Sequence, residues 1–351
     1  FRATYSYNSS NTFLGYYQLW KIEPTTGTPA IVQVGAVGNY AYVDNITLVG
    51  STLFFSAYDA TNGYELWKLD ASGNAVLVKD IRTGSGSSSP SNFYNFGGTL
   101  YFTANDGVKG VELWKSDGTT AGTILAKDIN GRTLPSNPTN LINVGTTLYF
   151  LADNDINGRE LWKVDPTTGL PVQLEINSGS QPSYVNYLTK VDSKLYFSAY
   201  DLTNGGYELW KIGTDGNPAR IDLGTGSSNP TNLTNVNGTL YFRSDNNYSG
   251  TTNVGYGQLW KLDSSDNPVV IQIGAGINGN AQVDNITLVG STLFFSAYDA
   301  TNGIELWKLD PSGNAVLVKD IFVGANYSYP TNFYNFGGTL YFTANDGVKG
   351  V

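Results

Sequence analysis

Seven tryptophans organise this chain, because they recur at nearly even spacing from one end to the other. Each is preceded by Leu and followed by Lys, and the spacings are 47, 47, 48, 48, 50 and 47 residues. They are Trp20, Trp67, Trp114, Trp162, Trp210, Trp260 and Trp307. A period of this length is typical of repeat architectures, in which each copy buries its apolar face against a neighbour. The sequence therefore predicts a single array of about seven repeats over residues 1–351.

One repeat, residues 91–129, reads as four short strands. Residues 100–104 and 112–115 alternate with a period of two, and Gly-Gly, Asn-Asp-Gly and Asp-Gly-Thr supply the turns. The chain also holds 41 Gly, 24 Tyr and 16 Phe and no Met, a composition that favours strands over helices. We expect four antiparallel strands per repeat, named a to d in chain order, with the Trp on strand c.

A four-stranded repeat of this size is the blade of a β-propeller, whose radial repetition protects the sheet edges. Leu113 and Trp114 point to opposite faces of one strand, and blades packed on both faces explain why both are large and apolar. A β-helix has a shorter period, and a leucine-rich horseshoe needs a helix pattern. The predicted fold class is thus all-β, a β-propeller of seven four-stranded blades, the last closed by strands from both termini.

Two features of the repeats suggest a longer parent chain. Residues 1–16 resemble residues 242–256 and would supply a surplus b strand beside residues 339–351. Residues 42–111 and 282–351 are identical at 60 of 70 positions, an offset of five repeats that indicates recent duplication of a five-blade block. We therefore expect this chain to be a segment of a longer repetitive protein, with copies of itself or the continuation of the same chain as partners.

Composition limits the chemistry that this chain can carry. It has no Cys and no His, so a thiol nucleophile, an imidazole proton shuttle and the commonest transition-metal ligand are missing. The regular Asp and Glu pattern repeats in every copy and offers no unique acidic pair, so we expect no enzyme and no catalytic residues. A net charge of −9 disfavours nucleic acid as a partner, and no apolar run is long enough to insert into a membrane.

The loops between strands b and c carry the candidate metal ligands. Clustered carboxylate, hydroxyl and amide oxygens beside a Gly are what calcium needs, although the spacing falls short of an EF-hand loop. The candidates are Asp59, Glu65, Asp153, Asp155, Glu160, Asp299 and Glu305. In the alternative interpretation, Asp caps an Asx turn and Glu pairs with a neighbouring Lys. No cofactor other than calcium is expected.

Strand c also carries a family resemblance. Residues 112–123, Glu-Leu-Trp-Lys-Ser-Asp-Gly-Thr-Thr-Ala-Gly-Thr, resemble the signature of the ELWxxDGT repeat proteins of bacteria. Four further copies keep Glu-Leu-Trp-Lys, while Gln18 and Gln258 replace the Glu in the remaining two. The resemblance implies a large secreted or cell-surface protein with β-propeller modules, and it brings no catalytic residues to transfer.

Taken together, these features predict a non-enzymatic extracellular or cell-surface protein. Its expected role is structural or adhesive, as a building block of a surface layer, matrix or filament that assembles through strand pairing at its ends. The alternative is a lectin-like propeller, with or without a dependence on calcium, because Tyr and Asn in variable loops suit glycans as well as proteins. The loop tyrosines concerned are Tyr5, Tyr7, Tyr16, Tyr17, Tyr40, Tyr248, Tyr327 and Tyr329.

Overall fold

The computed structural model describes residues 2–7, 13–36, 40–131, 133–177, 181–224, 227–245, 248–249, 252–253, 255–274 and 280–350. These residues form strands and turns and no helix. Accordingly, none of them belongs to a helix long and apolar enough to cross a membrane. The chain divides into two compact units, unit 1 with residues 1–173 and unit 2 with residues 174–351. The single array over residues 1–351 stays a prediction.

In its described residues, unit 1 contains one three-stranded sheet followed by three four-stranded sheets. The first sheet is β1 (Arg2–Tyr7), β2 (Phe13–Ile22) and β3 (Pro29–Val32), and the second is β4 (Asp44–Val49), β5 (Thr52–Asp59), β6 (Gly63–Leu69) and β7 (Ala75–Lys79). The third is β8 (Ser91–Phe96), β9 (Thr99–Asn105), β10 (Val111–Ser116) and β11 (Ile124–Lys127). The fourth is β12 (Thr139–Val144), β13 (Thr147–Asn154), β14 (Gly158–Val164) and β15 (Pro171–Leu174), which reaches the unit boundary.

Among its described residues, unit 2 contains three further four-stranded sheets and two two-stranded ones. The first is β16 (Asn186–Val191), β17 (Lys194–Asp201), β18 (Gly206–Ile212) and β19 (Pro218–Ile221). The second is β20 (Thr231–Val236), β21 (Thr239–Ser244), β24 (Gln258–Leu262) and β25 (Pro268–Ile271), with the pair β22 (Tyr248–Ser249) and β23 (Thr252–Asn253) inserted. The third is β26 (Asp284–Val289), β27 (Thr292–Asp299), β28 (Gly303–Leu309) and β29 (Ala315–Lys319), and the last pair is β30 (Thr331–Phe336) and β31 (Thr339–Thr343).

Each four-stranded sheet is an antiparallel meander, as the alternation and the turn residues predict. The a strands share a bulge after their first residue, where the second residue adopts a left-handed conformation, for example Asn45 at φ 53° and Asn285 at φ 53°. Asn tolerates this conformation better than most residues. Its side chain also reaches the next sheet, since Asn45 Nδ2 donates to the carbonyl of Pro90 at 3.2 Å. The repeated Asn thus joins neighbouring sheets at their first strands, which contact one another within each unit.

The core lies between successive sheets, and strand c supplies both of its sides. Leu66 packs with Trp114 of the following sheet, and Leu113 packs with Trp162 of the sheet after that. Unit 2 repeats the arrangement with Leu209 against Trp260. Trp67, Trp114, Trp162, Trp210 and Trp307 are all buried, with exposed fractions of 4 to 9 %. Leu and Trp of one strand therefore fill two different interfaces, as the sequence predicts.

The fold class is confirmed: the chain is all-β and its sheets are the blades of a β-propeller. The chain ends differ in one respect from the predicted last blade with strands from both termini. Arg2–Tyr7 already occupies the b position beside β2, and Thr339–Thr343 pairs with β30. The reason is the resemblance of residues 1–16 to a b strand, which makes the local pairing available within a few residues.

Candidate functional site

The glutamates of strand c are structural, since they hold the connection between blades. Glu65 is fully buried and accepts hydrogen bonds from Ile81 N at 3.0 Å, Ser88 N at 2.9 Å and Ser88 Oγ at 2.5 Å. Glu305 repeats this set with Ile321 N at 3.0 Å, Ser328 N at 3.2 Å and Ser328 Oγ at 2.6 Å. A buried carboxylate needs such donors. The donors to these two glutamates are backbone N–H groups and a serine hydroxyl, and not the Lys of the alternative interpretation.

Burial also changes the acidity of these carboxyl groups. Burial raises the pKa of Glu112 to about 7, even though Ser136 and the Ile129 N–H donate to it and pull the other way. The pKa of Glu65 and of Glu208 is raised for the same reason. Glu112 therefore takes up a proton closer to neutral pH than an exposed glutamate does.

The predicted metal ligands on the b–c loops accept hydrogen bonds from their own loops. Asp59 Oδ1 accepts from Thr61 N at 2.7 Å and Asn62 N at 3.0 Å, and Asp299 repeats both contacts with Thr301 and Asn302 at 2.7 and 3.1 Å. These are Asx turns.

The remaining candidates lie in one loop of unit 1. Asp153 faces Arg159 at 3.9 Å, Asp155 is exposed, and Glu160 is buried with hydrogen-bonding or ionic partners of its own. Among the described residues there is no group of three His, Cys, Asp or Glu side chains that could hold a metal ion. Calcium at these loops stays a prediction.

A cleft in unit 2 is the strongest candidate for a ligand site. It has a volume of about 480 Å³ and is lined mainly by the end of β21 and by the segments just before β24, β26 and β30. We name it the Arg243 cleft and define it by Arg243, Tyr256, Asn280, Gln282, Asp284 and Tyr329. Clefts of this size that combine aromatic rings with a few placed polar groups are typical of small-molecule sites. The Tyr256 and Tyr329 rings are 55 and 56 % exposed.

Backbone hydrogen bonds fix the frame of this cleft. Ala281 N donates to the carbonyl of Tyr256 at 3.1 Å and Val283 N donates to that of Gly257 at 2.8 Å, so the loop before β26 pairs with the start of β24. Gly257 lies close to this loop: a Cβ built there would lie 3.2 Å from the Gln282 Cα and 3.5 Å from an Arg243 guanidinium nitrogen. The frame therefore places Arg243 and Gln282 against the same short segment.

Arg243 occupies a position that other blades fill with a small or apolar buried residue. In each sheet this b-strand residue is paired with the Leu of strand c, and Arg243 is paired with Leu259. The equivalents in the other complete blades are Ser56, Thr103, Leu151, Ser198 and Ser296, which are all 4 % exposed or less. The Arg243 side chain instead retains 29 % exposure and pairs with Asp245 at 2.6 Å. This blade alone among the six complete ones brings a cation to that position.

The same blade has also lost its buried carboxylate. Glu65, Glu112, Glu160, Glu208 and Glu305 stand at one position of strand c, whereas this blade has Gln258, paired with Ser244. The blade thus replaces a neutral side chain by a cation and an anion by a neutral amide. Asp245, which pairs with Arg243, offsets part of this change, and Arg243 is the one cation among the described residues that line the cleft. Its charge favours an anionic group of a ligand.

The duplicated block shows that sequence differences gather at this cleft. Residues 282–351 and 42–111 differ at ten of 70 positions. Nine of those 70 positions line the cleft in unit 2, yet four of the ten differences fall among them. The four are Gln282, Ile304, Tyr329 and Thr331, in place of Tyr42, Tyr64, Ser89 and Ser91. A fifth, Tyr327 in place of Ser87, packs against Tyr329 with ring centroids 5.5 Å apart. The backbone around the cleft is kept while the side chains that line it change. This is expected of a binding surface rather than of a core.

Sequence reasoning missed Arg243 because it compared the motif strand and not its neighbours. The exchange at Gln258 was visible, and aligning the b strands would have shown the matching exchange at Arg243. Of the predicted loop tyrosines, Tyr329 lines the cleft and Tyr327 contacts it. The side chains of Tyr5, Tyr7, Tyr16 and Tyr248 lie outside the described part of the chain.

Comparison with known proteins identifies the fold and no family. No protein-family profile and no curated protein sequence matches this chain. Among solved structures it is similar to virginiamycin B lyase from Staphylococcus aureus, with 16 % identity, 86 % of this chain and 90 % of that chain covered, and a TM-score of 0.39. It is also similar to an oligogalacturonate lyase solved in complex with manganese, with 15 % identity, 97 and 88 % coverage and a TM-score of 0.41. A prolyl endopeptidase matches with 11 % identity, 86 and 46 % coverage and a TM-score of 0.45.

These similarities correct the function expected from the sequence. The propellers that resemble this chain in fold are lyases and a peptidase, which contradicts the prediction of a purely structural or adhesive building block. The composition argument failed because the blade is the same module whether or not a propeller acts on a ligand. At 11 to 16 % identity the likeness concerns the fold, and no activity of these enzymes transfers to this chain. The resemblance to ELWxxDGT proteins, calcium, the partners and the extracellular location stay predictions.

Proposed function

We propose that this protein binds a small zwitterion, such as an amino acid or the end of a short peptide, in the Arg243 cleft. The observation that carries the proposal is Arg243, a cation placed where the other complete blades bury a small or apolar residue. A guanidinium group matches the two oxygens of a carboxylate in a fork geometry. Arg243 has five N–H donors and its pairing with Asp245 leaves some of them for a ligand.

The charges around Arg243 favour a zwitterion over a simple anion. Asp245 lies beside the guanidinium, and Asp284 is an exposed carboxylate of the cleft wall. One cation therefore faces two carboxylates, and a ligand carrying only negative charge would be repelled by the second. A ligand with a carboxylate for Arg243 and an ammonium group for Asp284 satisfies both signs.

The rest of the lining suits the body of such a ligand. Tyr256 and Tyr329 present flat apolar surfaces, and Asn280 and Gln282 are exposed amides that can donate and accept. The volume of about 480 Å³ lies within the range of small-molecule sites. An amino acid with an apolar side chain can place its charged end on Arg243 and Asp284 and its side chain against the rings.

A reporter inside the cleft tests this proposal. A fluorotyrosine placed at position 256 gives a fluorine NMR signal, and we expect L-leucine to shift it in a saturable way. Two analogues are the controls: 4-methylpentanoate lacks the ammonium group and 3-methylbutylamine lacks the carboxylate, and both should bind at least tenfold more weakly. Each charged hydrogen bond is worth about 1.5–3 kcal/mol, or roughly tenfold or more in affinity.

Variants then assign the two charges. Arg243→Gln and Asp284→Asn should each weaken leucine binding about tenfold, while Arg220→Gln, which alters an arginine outside the cleft, should leave it unchanged. Equal binding by the wild type and by Arg243→Gln would refute the proposal. The same spectra report turnover, because a reaction of the ligand would make the shift change with time.

A further inference from the structure

Asp266 shows how a carboxylate is held between two neighbouring blades of unit 2. It lies in the turn between β24 and β25, and its partners belong to the preceding blade, β16 to β19. Lys194 and Lys211 each contact its carboxylate at 2.7 Å, and the Tyr196 hydroxyl donates to it at 2.6 Å. The side chain is only 10 % exposed. Charge-assisted hydrogen bonds from one blade therefore bind a carboxylate supplied by the next.

The turn between β28 and β29 repeats this geometry without the carboxylate. Gly313 stands at the position of Asp266, at φ 81° where Asp266 has φ 65°. Asp266 N donates to the carbonyl of Asp263 at 3.0 Å, and Gly313 N donates to that of Asp310 at 2.9 Å. In both turns the leading Asp accepts the N–H two residues further on at 2.9 Å. The backbone of the turn is therefore kept, and the side chain is missing.

The donors that would face this missing side chain are present in the preceding blade. Tyr241 is paired with Lys261 across strands b and c, in the same register that joins a tyrosine and a lysine below Asp266. A Cβ built on Gly313 would lie 3.2 Å from Tyr241 Oη and 3.5 Å from Lys261 Nζ. Thr239 stands where the first blade has its second lysine. Two polar atoms thus converge on the place that the Asp266 side chain fills in the other turn.

A cleft opens at this place. Its volume is about 650 Å³, compared with about 340 Å³ for the equivalent cleft beside Asp266. The larger volume lies within the range of small-molecule sites. Among the described residues that line it, the cations are Lys261 and Lys308, and the one carboxylate, that of Asp310, is held by its own turn. The balance of charge therefore favours an anion.

We infer that this cleft binds the carboxylate of a small organic acid between Lys261 and Tyr241, in the place that Asp266 fills in the neighbouring turn. We name it the Lys261 cleft and define it by Thr239, Tyr241, Lys261 and Gly313. Burial raises the pKa of Tyr241, which keeps its hydroxyl protonated and able to donate at neutral pH. No residue lines both this cleft and the Arg243 cleft, so the inference does not depend on the proposed function.

A local reporter tests binding at the Lys261 cleft. A fluorotyrosine at position 241 gives a fluorine NMR signal, and we expect butyrate to shift it in a saturable way. Butyramide has nearly the same shape without the charge, and it should bind at least tenfold more weakly. Arg243→Gln should leave the response to butyrate unchanged. Equal responses to the acid and the amide would overturn the inference.

Substitutions in the cleft then assign the carboxylate to its place. Lys261→Gln should weaken butyrate binding about tenfold, while Lys319→Gln, which alters an exposed lysine of β29 outside the cleft, should leave it unchanged. Gly313→Asp should abolish the response, because the added carboxylate takes the place of the ligand. Unchanged binding in Lys261→Gln or in Gly313→Asp would overturn the inference.

The neighbouring turn provides the reverse experiment. Asp266→Gly should open the equivalent place, so that a fluorotyrosine at position 196 reports butyrate binding that is absent while Asp266 is present. This gain does not depend on the folding of the Gly313 variant. A response at position 196 in Asp266→Gly beside a silent signal at position 241 in the wild type would overturn the inference, since the turn would then need Lys194 as a second cation. Silence at both positions would overturn it as well.

Discussion

At the scale of single residues, the buried position at the start of strand c holds Glu in some blades and Gln in others. Glu65, Glu112, Glu208 and Glu305 use the carboxylate to accept hydrogen bonds from the connection to the next blade, as Glu112 does from Ile129 N at 3.1 Å and Ser136 N at 3.0 Å. Gln18 keeps part of that role, because its Oε1 accepts from Val34 N at 3.1 Å. An amide therefore suffices for the structure and removes the negative charge.

The raised pKa of Glu112 gives a pH dependence that can be measured. Burial raises this pKa from 4.5 to about 7, so the folded state holds the proton more tightly than the unfolded state does. The contribution of this group to stability should therefore be fully present below pH 4.5 and lost as the pH rises through 7, by on the order of 3 kcal/mol. Urea unfolding of Glu112→Gln between pH 4.5 and 8 should lack that part of the decline. Parallel pH profiles of the variant and the wild type would contradict it.

Asp266 is a second residue whose identity departs from the repeat. It sits at φ 65° in a turn where the equivalent residues are Gly73 at φ 80° and Gly313 at φ 81°. Lys194 and Lys211 each contact its carboxylate at 2.7 Å and the Tyr196 hydroxyl donates at 2.6 Å. Burial opposes ionisation, but these three donors outweigh it and lower the pKa of Asp266 to about 2. Its stabilising contribution is present above the unfolded pKa near 4 and is lost as the pH falls towards 2.

Two substitutions separate the contacts of Asp266 from its backbone strain. Asp266→Ala loses the contacts and keeps the left-handed conformation, whereas Asp266→Gly loses the contacts and relieves the strain. We expect Asp266→Ala to be less stable than Asp266→Gly by about 1 kcal/mol in urea unfolding at pH 7. Ala and Gly variants of equal stability would show that the turn is not strained.

At the scale of the strand, strand c serves two interfaces and the tryptophan dominates one of them. Trp114 packs with Phe54, Leu66 and Phe102, and its Nε1 donates to the carbonyl of Ala104 at 3.1 Å. Trp67 is equally buried, at 6 % exposure, but its Nε1 has no partner among the described residues. The two positions thus share packing and differ in one hydrogen bond.

This pair gives a matched prediction for stability. Trp114→Ala should cost roughly 3–5 kcal/mol, because it empties a buried site between two blades. Trp114→Phe should cost about 1 kcal/mol more than Trp67→Phe, since only the first loses a hydrogen bond. Chemical denaturation of the four proteins measures both differences. A loss below about 1 kcal/mol for Trp114→Ala would contradict the packing role.

The strands also show what sequence could predict and what it could not. The positions of β5, β9 and β10 follow from alternation and turn residues, and the opposed burial of Leu113 and Trp114 follows from the pleat. The pairing of β1 with β2 could not be fixed, since two segments compete for one b position and the choice depends on tertiary contacts. The role of Glu65 was also open, because its donors Ile81 and Ser88 lie 16 and 23 residues away.

At the scale of the whole chain, duplication supplied two frames and substitution gave them different linings. The repeat that made the fold predictable also concealed the site, because the informative residues are the few that break it. Arg243 and Asp284 come from different blades, and the pairing of residues 281–283 with residues 256–257 brings their strands to one cleft. The sequence therefore contains the two exchanges, at Arg243 and Gln258, but it does not show that a pocket lies beside them.

The central claim is that the Arg243 cleft holds a zwitterion by its two charges, and a crystal structure of the protein soaked with L-leucine tests it most directly. We predict density for leucine in the cleft, with a carboxylate oxygen about 2.7–3.2 Å from the Arg243 guanidinium and the ammonium group on the Asp284 carboxylate. An empty cleft at a leucine concentration that saturates the reporter at position 256, or leucine bound with its carboxylate turned away from Arg243, would contradict the claim.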